Sequence, residues 1–256
     1  FVFGFSSILY CGFKNHLSSD SFKITLFITS LYLISAFLGL ISFFIFFSLE
    51  ESIKQPLKIS WSNFKIKKNE LFEKRVLIPS VVLLLSAFSS GAVLALIADY
   101  SNFVGIKNKG TYMAIYIVSS IFVRFMAGRW SDRSGRRIIS IIGSVFLCLS
   151  MLFLAFYSEI ETYIISSVFF GLGFGLISPS LFAWAADLAL PGLKGKAFGT
   201  LFIFLELGII LGSGFAGLIY NNNTANFFKA FLVSGILAAL PLILILPVFS
   251  KHKHSR

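Results

Sequence analysis

Seven long apolar runs constrain the fold of this chain more than any other feature of its sequence. A helix needs roughly 20 apolar residues to cross the hydrocarbon core of a bilayer, where no water is available to hydrogen-bond an unpaired backbone group. Each run therefore predicts a membrane-spanning helix, and together they predict an all-α polytopic membrane protein. The runs lie near residues 24–49, 76–98, 111–127, 138–157, 163–186, 197–220 and 227–249.

The overall composition agrees with a chain that is solvated by lipid. Of the 256 residues, 57% are hydrophobic and 13% are charged, and the mean hydropathy is +0.88. A soluble domain carries about 25% charged residues. The composition therefore excludes a soluble globular domain and places the chain in a cell membrane.

The first twelve residues form an eighth apolar stretch, Phe1 to Gly12, which is about half as long as a membrane span requires. A cleaved signal peptide is the competing interpretation, but the basic start and the small-residue cleavage pattern of such peptides are missing. The stretch is therefore expected to be the end of a helix, so that the chain is a fragment that begins inside a transmembrane segment.

The distribution of the 22 Lys and Arg residues predicts the orientation in the membrane. Sixteen of them lie in one set of alternate connections, five lie in the other set, and Arg124 lies within a span. Cytoplasmic loops carry the excess of positive charge. The sixteen-residue set, which includes the segment around Arg133 and the C-terminus, is therefore predicted to be cytoplasmic.

Two kinds of partner could neutralise the net charge of +11, namely nucleic acid and anionic lipid headgroups. Nucleic acid is excluded, because the topology accounts for the basic residues and no aromatic-interleaved basic face remains. Anionic lipid headgroups are the expected counterions. The two cysteines and three histidines show no spacing typical of metal ligands, so that no metal and no cofactor is predicted.

A charged segment with two glycines interrupts the apolar runs between residues 127 and 138. It reads Gly-Arg-Trp-Ser-Asp-Arg-Ser-Gly-Arg-Arg from Gly128 to Arg137, which predicts a tight, water-facing turn at the membrane surface. It also resembles the G-x-x-x-D-R-x-G-R-[RK] signature of the major facilitator superfamily, a large class of secondary transporters. The positions that carry the resemblance are Gly128, Asp132, Arg133, Gly135, Arg136 and Arg137.

Glycines further along the chain extend the resemblance. Gly171-Leu-Gly-Phe-Gly175 precedes Pro179, and Gly208 and Gly212 follow in the next apolar run, an order similar to the tenth and eleventh helices of drug-exporter-like members of that family. A dinucleotide-binding loop is the competing interpretation, but it needs a preceding strand in a βαβ unit. In apolar runs, glycines instead predict close helix packing, and Pro179 predicts a kink.

The resemblance implies a domain organisation. Residues 76–249 are expected to form a six-helix bundle of two inverted three-helix repeats, followed by a cytoplasmic tail at 250–256. Residues 50–75 are expected to form the cytoplasmic central linker, and residues 1–49 the end of the N-terminal bundle, with a truncated fifth helix and the sixth helix. One and a half transmembrane helices therefore precede the bundle, and its expected partners include the missing N-terminal helices of the same protein.

The resemblance also implies a role for the signature residues. Asp132 is expected to accept hydrogen bonds from arginine, or from the N-terminus of another helix, in a latch that stabilises one conformation of the transporter. The alternative is a solvated turn that only follows the positive-inside rule. Arg124, eight residues before Asp132, is predicted to form an ion pair with it, and a contact to substrate is the alternative. Asp187 is a further carboxylate that can pair with an arginine at the same membrane face.

Glu206 is the second candidate functional residue, because it lies ten residues into the run 197–220 and thus about 14 Å deep. A charge at that depth costs at least about 2.5–3.5 kcal/mol, so the carboxyl is expected to face a polar cavity, pair with another group or bind a proton. Proton coupling is the preferred interpretation. A carboxyl that only hydrogen-bonds to a neighbouring helix is the alternative.

These features together predict secondary active export of a small organic molecule, driven by proton exchange through alternating access. Facilitated or proton-coupled uptake of a sugar or organic acid is one alternative, and a receptor or scaffold that does not transport is another. An enzyme is not predicted, because no nucleophile and base, metal set or carboxylate pair falls at a common depth.

Overall fold

The computed structural model describes residues 21–47 and 72–252. The chain divides into two compact units, residues 1–66 and residues 67–256. The described part of the first unit is a single helix, α1 (Ser21–Phe47), whose apolar stretch Tyr32–Phe46 is exposed within that unit. The opening run Phe1–Gly12, most of the predicted linker and the last four residues lie outside the described residues.

The second unit consists of six helices that are each long and apolar enough to cross a membrane. No strand occurs among the residues that the structure describes. The prediction of an all-α polytopic membrane protein is therefore confirmed. In chain order the helices are α2 (Leu77–Val104), α3 (Thr111–Ser134), α4 (Arg136–Phe156), α5 (Ile160–Leu188), α6 (Lys194–Tyr220) and α7 (Phe227–His252), with a 3₁₀ turn, Lys74–Val76, before α2.

The helix contacts follow a two-fold pattern. The contact between α2 and α6 corresponds to the contact between α5 and α3. The contact between α4 and α5 likewise corresponds to the contact between α7 and α2, and α4 and α7 contact each other. Exchanging the first three helices for the last three therefore leaves the set of major contacts unchanged. This is the arrangement that two inverted three-helix repeats produce.

Glycines bring the helix backbones together at two of these contacts. A Cβ atom on Gly208 would lie 2.4 Å from the carbonyl oxygen of Leu84 in α2, and one on Gly212 would lie 2.0 Å from that of Phe88. On α5, a Cβ atom on Gly171 would lie 2.6 Å from the carbonyl oxygen of Tyr116 in α3. No larger side chain fits at these positions without moving a backbone.

The residues on α5 that follow Gly171 continue the same face. A Cβ atom on Gly175 would approach the carbonyl oxygen of Ser120 in α3 to 3.0 Å. Pro179 lies four residues further on, inside a helix that runs unbroken from Ile160 to Leu188. The kink at Pro179 therefore stays a prediction.

The tight turn predicted for the signature segment is confined to one residue, Gly135, and the rest of the segment is helical. Helix α3 continues through Gly128 and Asp132 to Ser134, Gly135 alone separates the two helices, and α4 begins at Arg136. The turn is shorter than predicted because an apolar run marks only the part of a helix that lies in lipid. Polar residues continue a helix into water, where exposed side chains need no burial.

Buried hydrogen bonds join the helices at the opposite end of the bundle. The hydroxyl of Tyr112, at the start of α3, lies 3.3 Å from that of Ser150 in α4 and 3.1 Å from that of Ser166 in α5. Tyr163 of α5 and Ser101 of α2 share a hydrogen bond of 2.7 Å. Hydroxyls that pair in this way satisfy one another without water. These five residues are called the tyrosine cluster below.

Candidate functional site

Arg136 lies at the centre of an ionic cluster that joins three helices. Its guanidinium, on the first residue of α4, donates to the carboxylate of Asp132 in α3, and its Nε atom lies 3.3 Å from Oδ2 of Asp187 in α5. Its Nη1 atom also donates to Ser131 Oγ at 3.3 Å. The pairing of Asp187 with an arginine is therefore confirmed. These four residues, Ser131, Asp132, Arg136 and Asp187, form the Arg136 cluster.

Solvent reaches the Arg136 cluster from outside the bundle. The side chains of Asp132 and Asp187 are 64% and 59% exposed, whereas that of Arg136 is 26% exposed. Ion pairs with such exposure contribute about 0.2–1 kcal/mol each. The cluster can therefore break and re-form without a large change in stability.

The remaining signature residues surround this cluster in different ways. The guanidinium carbon of Arg137 lies 5.2 Å from the ring centroid of Trp184 in α5, within cation–π distance. Arg133 is exposed in the last turn of α3, and no atom lies within 4 Å of a Cβ built on Gly128. Gly135 adopts a φ of 93° and a ψ of 140°. Trp184 has no motif of its own, and its position one turn before Asp187 was the only signal for its role.

A second ionic contact anchors the segment before α2 to α6. Glu73 is buried, its backbone N–H donates to Thr200 Oγ1 at 3.0 Å, and its Oε2 atom lies 3.9 Å from Lys196 Nζ. The rings of Phe72 and Phe204 meet edge to face at 6.3 Å. Sequence reasoning missed this contact, because Glu73 lies in a lysine-rich segment without a recognisable motif.

Arg124 does not pair with Asp132, in contrast to the prediction. Both residues lie on α3, and eight residues of helix separate them by about 12 Å along the axis. Arg136 is the partner of Asp132 instead. Arg124 is exposed, and no carboxylate of the described residues lies within ion-pair distance of it.

Glu206 lies on the exposed side of α6. Gly208, two residues later, faces α2, and two residues turn a helix by about 200°, so Glu206 points away from that contact. Within the described part of the chain, its carboxyl has no hydrogen-bond or ion-pair partner. It lies ten residues from Lys196, which is about 15 Å along the helix.

Helices α3 and α6, which carry Arg124 and Glu206, are the least buried of the six spans. They occupy equivalent places in the two three-helix repeats, since each is the middle member of its repeat. The arrangement exposes one positive and one negative side chain inside the apolar part of the bundle, on two helices that flank α2 and α5.

Comparison with known proteins identifies the chain's relatives. The sequence model of the Major Facilitator Superfamily matches residues 80–256. Multidrug resistance protein 1 of Bacillus subtilis (strain 168) is 29% identical over 137 residues, which is 54% of this chain and 35% of that protein. Quinolone resistance protein NorA of Staphylococcus aureus is 25% identical over 129 residues, or 50% of this chain and 33% of that relative.

A further relative is also matched over only part of its length. Multidrug resistance protein 2 of Bacillus subtilis (strain 168) is 29% identical over 110 residues, which is 43% of this chain and 28% of that protein. The chain thus spans about a third of the length of the relatives that it matches.

Proposed function

The chain belongs to the major facilitator superfamily, as its signature segment and glycine pattern predicted, and from this premise we propose that it is part of a secondary transporter that exports small organic molecules in exchange for protons. The relatives named for multidrug and quinolone resistance support export of drug-like compounds. The six membrane-length helices make the chain a multi-pass membrane protein. An enzymatic function is not proposed, since the family consists of transporters.

The proposed domain organisation follows the family. Residues 76–249 form the C-terminal six-helix bundle and residues 250–256 its cytoplasmic tail. Residues 50–75 form the cytoplasmic linker, and residues 1–49 the end of the N-terminal bundle. The excess of Lys and Arg in one set of connections supports this orientation, with the signature segment and the C-terminus in the cytoplasm.

The Arg136 cluster is proposed to be the latch of the alternating-access cycle. It ties the ends of α3, α4 and α5 together at one face of the membrane, and its solvent-exposed ion pairs are weak enough to open in each cycle. Gly135, the single residue between α3 and α4, keeps the two helix ends close enough for Asp132 to reach Arg136.

Glu206 carries the proposal of proton coupling. Its carboxyl is exposed about halfway along a membrane-length helix and has no partner in the described part of the chain. An ionisable side chain inside a span usually marks the path of a substrate, an ion or a proton, which supports a role for Glu206 in coupling. The exchange of a proton for a substrate at this position would couple the two fluxes.

The first test compares Glu206→Gln with wild type in everted vesicles that contain the full-length protein at matched expression. An imposed pH gradient should drive uptake of a panel of organic compounds by wild type, and the variant should lose this accumulation. Substrate counterflow, which needs no net proton movement, should survive in Glu206→Gln. Glu161→Gln, which removes a carboxyl in the first turn of α5, is the control and should accumulate compounds as wild type does.

The outcomes separate the alternatives. Gradient-driven accumulation by Glu206→Gln at the wild-type level would remove Glu206 from the coupling mechanism. Counterflow by wild type without a response to the pH gradient would identify a facilitated carrier instead. Absence of both activities across the panel in wild type would favour the receptor or scaffold function.

A further inference from the structure

Two residues of the segment before α2 contact α6 at three successive positions. The carboxylate of Glu73 lies 3.9 Å from Lys196 Nζ, and the backbone N–H of Glu73 donates to Thr200 Oγ1. The ring of Phe72 meets that of Phe204 edge to face. The three positions on α6 are four residues apart, so they follow one another along one side of the helix. These contacts are called the α6 anchor below.

The ionic part of the α6 anchor lies where a charge is costly. The side chain of Glu73 is 10% exposed and that of Lys196 is 23% exposed. The carboxylate also accepts a hydrogen bond of 3.5 Å from the backbone N–H of Arg75. A buried charge needs such partners, whereas apolar side chains of similar volume often hold two segments together as strongly. What a buried ion pair can add is a defined register, because it forms in one arrangement only.

Helix α6 has particular need of such a register. It is the least buried of the six spans, and α2 is the helix on which it mainly packs. Deeper in the bundle this contact passes through Gly208 and Gly212, where the two backbones approach closely. Glycine has no side chain that interlocks with a neighbouring helix. The α6 anchor therefore supplies the directional contacts that the glycine positions lack.

The position of Glu206 depends on how α6 is held. Glu206 lies two residues after Phe204, about 3 Å further along the helix and about 200° around it. Helix α6 runs unbroken from Lys194 to Tyr220, so a rotation or a slide at the α6 anchor also moves the carboxyl of Glu206. Proton transfer needs a partner within about 2.6–3.2 Å, so a small displacement of the helix would interrupt it.

We propose that Glu73 is a positioning residue for proton coupling. Its contacts with Lys196 and Thr200 fix the rotation and register of α6, and thereby hold the carboxyl of Glu206 where it exchanges its proton. This inference rests on the proposed function and adds to it a residue outside the six helices. The segment before α2 then has a second task besides connecting α2 to the preceding chain, because its last residues hold the helix that carries the coupling carboxyl.

The first arm of the test measures coupling in everted vesicles that contain the full-length protein. Glu73→Gln and Thr200→Val are compared with wild type. Glu161→Gln and Lys194→Gln are the controls, because each removes one charge from an exposed position in the first turn of a helix. Gradient-driven accumulation of the compound panel and substrate counterflow are both divided by the amount of folded protein, which is taken from the size-exclusion profile in detergent.

Glu73→Gln and Thr200→Val should lower accumulation at least about threefold, since the loss of one hydrogen bond or ion pair shifts an equilibrium by that order. Counterflow should stay near the wild-type level, and both controls should match wild type in both activities. A purely structural role of Glu73 would instead lower the amount of folded protein and leave the ratio of accumulation to counterflow unchanged.

The second arm measures the position of α6 directly. Phe72 and Phe204 are replaced by cysteine in a full-length protein whose other cysteines are serine, and this parent is treated with o-phenylenedimaleimide, a short and rigid cross-linker. The two rings lie 6.3 Å apart, so the thiols should react with the same linker molecule. Adding Glu73→Gln or Thr200→Val should slow cross-linking at least about threefold. Once linked, the Glu73→Gln protein should accumulate compounds as the linked parent does.

Several results would overturn this role of Glu73. Unchanged cross-linking in Glu73→Gln and Thr200→Val would show that the α6 anchor does not position the helix. If the linked parent accumulates compounds and linked Glu73→Gln does not, Glu73 acts through its charge and not through the position of α6. A linked parent without accumulation would show that the contact opens in each cycle. Wild type without gradient-driven accumulation would overturn the coupling role together with the proposed function, while cross-linking would still decide whether Glu73 positions α6.

Discussion

Gly135 is the single residue that allows α3 and α4 to meet within the Arg136 cluster. Its φ of 93° and ψ of 140° lie in a region that residues with a Cβ atom rarely adopt. No atom lies within 4 Å of a Cβ built there, so a substitution would be opposed by backbone strain alone. Gly135 is therefore required by conformation and not by space.

We expect Gly135→Ala to lower the free energy of unfolding by about 1–3 kcal/mol through this strain. Thermal unfolding of the detergent-solubilised protein measures the effect. Gly195→Ala is the matched control, because Gly195 lies in the first turn of α6 with ordinary helical backbone and open space around it, and alanine there should raise stability by up to about 1 kcal/mol. Equal melting temperatures for the two variants would contradict the assigned strain.

Individual residues differ in how far the sequence could predict their roles. Asp132 and Arg136 lie four positions apart in a recognisable signature, so sequence placed them in one site, although it paired Asp132 with Arg124. The prediction of that ion pair considered only whether both residues lie on the same face of the helix. Along the helix axis the two groups are about 12 Å apart. Trp184 and Glu73 could not be predicted, because their roles depend on contacts with Arg137 and Thr200 that are distant in sequence.

At the scale of the helix, the α2–α6 contact depends on glycine. A Cβ atom on Gly212 would lie 2.0 Å from the carbonyl oxygen of Phe88, so an alanine forces the two backbones apart. Van der Waals packing is the main force that holds helices together in lipid, and it declines steeply with separation. The contact between α2 and α6 is thus sensitive to a single methyl group.

Gly212→Ala is therefore expected to destabilise the bundle by about 1–3 kcal/mol, as overpacking does. Gly214→Ala, two residues along the same helix, meets no atom within 4 Å and should leave the melting temperature unchanged or higher. The measurement is thermal unfolding of both variants in the same detergent. An unchanged melting temperature for Gly212→Ala would show that α6 can shift on α2 without a loss of stability.

Helix bounds show where sequence patterns stop being informative. The apolar run 111–127 located α3 correctly in lipid but ended seven residues before the helix does, at Ser134. Hydrophobicity reports the solvent around a helix, whereas backbone hydrogen bonds and Gly135 determine where α3 ends. Arg124 lies four residues before the end of the apolar span Thr111–Gly128, whereas Asp132 lies beyond that span, so the two side chains are at different depths.

Over the whole molecule, the two ends of the bundle use different chemistry to hold the same helices. The Arg136 cluster joins α3, α4 and α5 through exposed ion pairs, whereas the tyrosine cluster joins α2, α3, α4 and α5 through buried hydroxyls. Exposed ion pairs are weakened by water and salt, whereas buried hydrogen bonds are not. The contacts of the Arg136 cluster are therefore weaker than those of the tyrosine cluster at the other end of the same helices.

The proposed orientation makes a prediction for the complete molecule. Leu190 lies in the connection between α5 and α6 and Asn223 in the connection between α6 and α7, and both are exposed. The excess of Lys and Arg on the side of Leu190 predicts that this side faces the cytoplasm. In a protein whose Cys11 and Cys148 are replaced by serine, a membrane-impermeant maleimide applied to intact cells should label Asn223→Cys and not Leu190→Cys.

Everted vesicles should reverse the labelling, so that Leu190→Cys reacts and Asn223→Cys does not. A membrane-permeant maleimide, applied to the same cells, controls for the reactivity of the two thiols and should label both. Labelling of Leu190→Cys from outside intact cells would invert the orientation and place the Arg136 cluster on the outer face. The latch would then close the outer side of the transporter, and the direction of proton exchange at Glu206 would have to be reassigned with it.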